Sequence, residues 1–171
     1  VVIILDGLNH LEDRDRAQEL VWLPRVIPPK VRLIVSTLPG KALEELDRRG
    51  WPKTRVELLK PEERLQLLRE YLGQYTKVLS PGPERRIALA EQTANPMYLR
   101  VLSEELRLFG EHRLLEAQIE RYLSARNPVE LYDRVMERWE QDYERDRPRL
   151  VRDSMPLIWA ARLGLSEAEL L

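Results

Sequence analysis

The chain opens on Val1-Val2-Ile3-Ile4-Leu5, an uninterrupted apolar run, and the run stops abruptly at Asp6-Gly7. Most of its residues are β-branched, which restricts χ1 and favours extended backbone. A strand without polar alternation suits one setting, the middle of a parallel sheet with both faces covered. The C-terminal ends of such strands form the edge where α/β proteins bind ligands. A carboxylate there can reach a ligand-bound cation, and glycine lets the chain turn sharply away. Asp-Gly also makes an ordinary strand-ending turn or helix cap, so the remaining sequence has to decide between the two.

The pattern stays α/β to about residue 60. Glu12–Trp22, with Ala17, Leu20 and Val21 on one side, predicts a short helix. Val31–Ser36 (VRLIVS) predicts a second buried strand, and Lys41–Arg49 a helix stopped by Gly50. Thr54–Leu58 reads as a short, charged edge strand. So few strands leave sheet edges unpaired, which predicts further strands upstream.

After Lys60 the reading is helical. Pro61 takes a first-turn position, with Leu65, Leu68, Leu72 and Tyr75 as the apolar stripe. Ser80-Pro81-Gly82-Pro83 predicts a break before a short helix over Glu84–Glu91. Asn95-Pro96 and Asn127-Pro128 each offer an Asn cap and a proline at the first helical position. Arg113–Ser124 and Leu150–Leu163 are further helices, the second with a kink or boundary at Pro156. Ser166 and Glu169 form a capping box. The expected division is 1–60, the C-terminal part of an α/β domain; 61–146, a helical subdomain; and 147–171, the start of another module. Both ends fall inside regular elements, so the chain reads as a piece of a longer protein.

Composition narrows the chemistry. The net charge is −1, which gives no global field for nucleic acid or membrane surfaces. Cysteine is absent, removing disulfides and thiolate metal sites. No apolar run approaches the ~20 residues of a membrane span, and no basic leader precedes Val1. A cytoplasmic protein is the expectation. His10 and His112 have no ligand-spaced companions, which argues against zinc. Ser36, Ser80, Ser103 and Ser166 lack nucleophile-elbow context. Trp22, Trp51, Trp139 and Trp159 read as core or subdomain-interface anchors. Glu137–Arg152 alternates acids and bases and reads as a solvated helix face.

A carboxylate at the end of a buried strand is the Walker B arrangement of P-loop NTPases, in which Mg²⁺ bridges nucleotide phosphates. The matching phosphate loop, Gly-x4-Gly-Lys-Ser/Thr, does not occur in these residues. Gly40-Lys41 lies between a strand and a helix, but Val35 stands where the first Gly belongs and Ala42 where the hydroxyl belongs.

Four stretches in order, VVIILDGLNHLED, LPRVIPPKVRLIVSTLPG, QTANPMYLRVLSEEL and LVRDSMPLIWAARLGLSEAELL, resemble the NACHT-type STAND NTPases. These are relatives of AAA+ proteins, and the nearest flavour is the nephrocystin-like group with tetratricopeptide repeats. The resemblance implies a partial P-loop α/β fold, then a mainly α-helical subdomain and the start of a winged helix. It implies that Asp6 holds Mg²⁺ through water and that VRLIVSTLPG is the sensor 1 strand. In that strand Ser36 and Thr37 form the polar pair facing the γ-phosphate. Asn95 and Pro96 lie beside the nucleotide, ATP or ADP. The implied function is a nucleotide-gated regulatory and oligomerisation core, with protein partners on flanking domains.

This chain departs from the pattern where catalysis is set. Asn9 and His10 occupy positions that often carry acids; His10 is then the one candidate base. Leu38 stands where an Arg often follows the polar pair. Slow or absent hydrolysis follows. The alternative is a non-catalytic helical scaffold for protein–protein contacts, carrying a degenerate NTPase remnant. No basic recognition helix is present, which argues against direct DNA contact.

Overall fold

The computed structural model describes residues 1–170, which form two compact units, Val1–Val56 and the remainder from Glu57. The chain is mostly helical, with one short parallel sheet.

In the first unit, β1 (Val2–Leu5) pairs in parallel with β2 (Arg32–Val35). The register runs from Val2 opposite Arg32 to Leu5 opposite Val35. Helix α1 (Lys41–Arg48) follows, and Gly50, at φ +66°, turns the chain out of it. Leu8, Leu20, Leu23, Ala42 and Leu46 are buried together, with Leu5, Leu33, Val35 and Trp51 against them.

Three expectations fail in this unit. The strand is not covered on both faces: Val2 is 61% and Ile4 68% exposed, so only one side of the sheet has a layer on it. Glu12–Trp22 is not a helix. It forms a 3-10 turn at Ala17–Glu19, flanked by left-handed residues Asp15, Arg16 and Leu20. The physical reason lies four residues ahead. A helix through Leu20 would need an N–H from residue 24, and Pro24 has none; Arg49 Nη2 donates to the Leu20 carbonyl instead, at 2.6 Å. Thr54–Leu58 is not a strand either. No sheet edge reaches it among the described residues, and Val56 is 91% exposed.

The second unit is helical throughout: α2 (Pro61–Gly73), α3 (Pro81–Leu89), α4 (Pro96–Leu108), α5 (Leu115–Leu123), α6 (Pro128–Tyr143), α7 (Leu150–Ala160) and the short α8 (Glu167–Leu170). The Ser80–Pro83 break is the helix start itself: Pro81 occupies the first position of α3. Both Asn caps form. Asn95 Oδ1 accepts from the N–H groups of Met97 (2.9 Å) and Tyr98 (3.3 Å), and Asn127 Oδ1 from that of Glu130 (3.0 Å). Helix α7 runs through Pro156 without ending. Glu169 reaches back to the Ser166 N–H at 2.8 Å. No helix among the described residues is long and apolar enough to cross a membrane.

The core of this unit gathers Leu68, Leu72, Ile87, Leu102, Leu106, Ile119 and Leu131; each fully buried leucine or isoleucine contributes about 2 kcal/mol. Inside it sits a polar knot. Glu105 on α4 is buried and receives Arg138 of α6 through two bonds, Nε at 2.7 Å and Nη2 at 3.2 Å. The Tyr122 hydroxyl of α5 donates to the same carboxylate. Burial, and then that bond, push the Tyr122 hydroxyl well above the usual phenol range. Tyr98, whose hydroxyl donates to the carbonyls of Tyr122 (2.6 Å) and Ala125 (2.9 Å), is pushed up to about 12 by burial. So the Glu137–Arg152 stretch is not wholly a solvated face: Arg138 turns inward. Two tryptophans also depart from the reading as anchors. Trp159 is exposed, and Trp22 is half-exposed with its indole N–H on the Ala17 carbonyl at 3.0 Å.

Removing one partner of a buried, hydrogen-bonded charge pair costs several kcal/mol. Glu105→Ala should lower the urea-unfolding free energy of the helical transition by roughly 3 kcal/mol, and Tyr122→Phe by about 1.5 kcal/mol, both followed by far-UV circular dichroism.

Candidate functional site

The parallel register continues one rung past the strands and sets Asp6 beside Ser36. The Ser36 hydroxyl donates to Asp6 Oδ1 and accepts the Gly7 N–H at 2.8 Å. Two backbone bonds frame this rung, Ser36 N–H to Leu5 O at 3.0 Å and Leu8 N–H to Ser36 O at 3.0 Å. Gly7 makes the turn possible. Its φ is +70°, and a Cβ there would lie 2.9 Å from His10 Cδ2. The chain then passes into a 3-10 turn, Leu8–His10, anchored by buried Leu8.

Two more links cross the same strand ends. Asn9 Oδ1 accepts the Leu38 N–H at 3.1 Å. Asp13 and Lys41 form an exposed ion pair at 2.6 Å; the hydrogen bond, and then the charge of Asp13, hold the Lys41 ammonium above its ordinary range. Thr37 Oγ1 donates to the Leu38 carbonyl at 3.1 Å, and His10 is exposed. The structure therefore brings Asp6, Ser36, Thr37 and His10 to one end of the sheet. Asn95 and Pro96 belong to the helical unit, where they start α4.

Asn9, which stands in the sequence where an acid is common, is the group that fastens the two strand-end loops. The constant strand offset is the signal that finds it. Val2 faces Arg32, thirty residues on, and Asp6–Ser36, Asn9–Leu38 and Asp13–Lys41 keep nearly the same separation.

The donors at this edge are hard oxygens: the exposed carboxylate of Asp6 and hydroxyls, with the second carboxylate, Asp13, already paired with Lys41. No group of three or more His, Cys, Asp or Glu among the described residues could enclose a metal ion; the His112 side chain lies outside those described. A single carboxylate does not build a protein cage. It fits Mg²⁺ in its common mode, with water and phosphate oxygens completing the shell.

Comparison with known proteins places the chain in company. It is 36% identical, over 96% of its length, to a TPR repeat-containing protein of Dictyostelium discoideum. It is 30% identical over 99% of its length to telomerase protein component 1 of Mus musculus. It is 28% identical over 99% of its length to NACHT and WD repeat domain-containing protein 2 of Homo sapiens. The chain spans only 10%, 6% and 10% of these relatives respectively. No protein-family model matches it, and no solved structure does. Its relatives thus include NACHT-containing and TPR repeat-containing proteins.

Ser36→Ala should raise amide hydrogen exchange at Gly7, whose N–H loses its acceptor. Leu8, bonded to the Ser36 backbone oxygen, should stay protected. Site-resolved exchange by NMR reads both, and the stability loss should be about 1 kcal/mol.

Proposed function

We propose that this chain is part of the ATP/ADP-binding regulatory and oligomerisation core of a NACHT-type signalling NTPase, working as a nucleotide-gated switch with slow or no hydrolysis. The observation that carries the reading is the Asp6–Ser36 rung: a carboxylate and a hydroxyl joined at the C-terminal ends of adjacent parallel strands. That edge is where doubly wound proteins take their ligands. In this reading residues 1–60 belong to a P-loop α/β domain, 61–146 form its helical subdomain, and 147–171 begin a winged helix. Likeness to a NACHT-containing protein along nearly the whole chain supports it.

Asp6 would hold Mg²⁺, which when bound neutralises charge between phosphates. Ser36 orients Asp6 and, with Thr37, offers hydroxyls toward the γ-phosphate. Asn95 and Pro96 would contact the nucleotide from the start of α4, where the Asn95 side-chain oxygen is committed to capping and Pro96 is exposed. Asn9 cannot accept a proton from water, and its oxygen is engaged by the Leu38 N–H. That leaves His10 as the candidate base, Asp13 being paired with Lys41, and Leu38 brings no cation to the γ-phosphate. Both features favour holding nucleotide over cutting it. Exchange of ADP for ATP would rotate the helical part as a hinge, and flanking domains would supply protein partners. The second reading, a helical protein–protein scaffold, draws on the TPR repeat-containing relatives and on a helical unit with its own sealed core.

The full-length protein separates the two. Asp6→Ala should weaken Mg²⁺-dependent ATP affinity, measured by calorimetry, roughly tenfold or more. Unchanged affinity in Asp6→Ala would overturn the role given to Asp6; no ATP binding by the parent protein would leave the scaffold reading standing.

A further inference from the structure

At the end of α1 far from Lys41 there is a cleft of about 450 Å³, and the four residues lining it, Arg25, Glu45, Arg48 and Arg49, are all charged. Three guanidinium groups face one carboxylate, so the cleft carries an excess of two positive charges. The arginines hold different stations. Arg49 is nearly sealed, with 7% of its side chain exposed. Its Nη1 donates to the Leu23 carbonyl at 2.9 Å and its Nη2 to the Leu20 carbonyl at 2.6 Å. Its Nε is buried without a hydrogen-bond partner, 3.6 Å from Glu45 Oε1. Glu45 is shared, since Arg48 also approaches it, at 3.3 Å. Arg48 is otherwise in solvent. Arg25 is exposed and has no ion-pair or hydrogen-bond partner among the described residues.

Arg49 also sets where Arg25 stands. By holding the Leu20 and Leu23 carbonyls it fixes the backbone leading through Pro24 to Arg25. A fixed buried cation with a shared counter-ion, beside two solvent-facing guanidinium forks, is arranged to receive an anion.

We propose that this cleft binds a phosphoryl group, gripped by Arg25 and Arg48 over the fixed charge of Arg49, with Glu45 as the internal counter-ion that the ligand displaces. The excess of two charges selects the class. A phosphate dianion matches it, whereas a carboxylate leaves half of it unmet. The proposal does not rest on the nucleotide reading of Asp6, which concerns the strand ends. The phosphoryl group could arrive as free phosphate or pyrophosphate, or on a nucleotide; the chemistry at the arginines is the same.

The test is calorimetric titration of the 171-residue chain at low ionic strength with inorganic phosphate, pyrophosphate, ADP and, as a single-charge control, acetate. Phosphate or pyrophosphate should bind and acetate should not. Arg25→Ala and Arg48→Ala should each weaken binding roughly tenfold. Both side chains are exposed, so the fold persists, which circular dichroism verifies. Glu45→Gln, which removes the competitor, should tighten binding several-fold. ADP binding that depends on Arg25 and Arg48 and is tighter than pyrophosphate would make a nucleotide the source; equal affinities would make it the phosphate alone. No binding of either phosphate, full affinity in both arginine variants, or weaker binding in Glu45→Gln would overturn the proposal.

Discussion

The parallel pairing of β1 with β2 is the constraint from which the chemical face of this protein follows. Parallel strands cannot be joined by a tight turn, so the chain has to travel between them and return in register. Here the return is made without a helix. Irregular turns bury Leu20 and Leu23 against α1, and Arg49 holds the carbonyls of both, the Leu20 carbonyl being the one that Pro24 leaves without a helical N–H. Loosen that crossover and the thirty-residue offset is free to slip. A slip of one position would carry Ser36 away from Asp6, because neighbouring side chains on a strand point to opposite faces.

Much of this was legible from local pattern. The two apolar runs mark the strands, Gly50 marks the end of α1, and each Asn-Pro pair marks a helix start, because caps and prolines act within a few residues. What escaped is non-local. The helix expected over Glu12–Trp22 had favourable spacing, yet its Leu20 carbonyl faces Pro24, and the Arg49 side chain donates there instead. The strand expected at Thr54–Leu58 had suitable residues but no neighbour to pair with. At the site, Asp6 and Ser36 could be named singly; that they touch depends on register, which residue type does not encode. Arg138 looked like one of many surface arginines, since its partner Glu105 lies on another helix.

The helical unit answers a different demand. Its apolar side chains would pack in several helix arrangements; the Glu105 carboxylate accepts from α5 and α6 at once and is satisfied in one of them. Tyr98 adds a second tie, from α4 to the carbonyls at the end of α5. These are the contacts by which motion at one helix would be felt at the others, which a switch of any kind needs and which a static scaffold also uses to stay rigid.

One property of β1 has a practical side. Most of its side chains are exposed, and from Val1 to Leu5 it carries no charged side chain, proline or glycine. Such a segment can add itself to the edge of another chain's sheet. The apolar run ends at Asp6, an exposed carboxylate that such pairing would have to bury at a cost. Beyond any ligand it serves, a charge at that position would oppose strand-to-strand stacking, so its replacement would be expected to change solubility as well as chemistry.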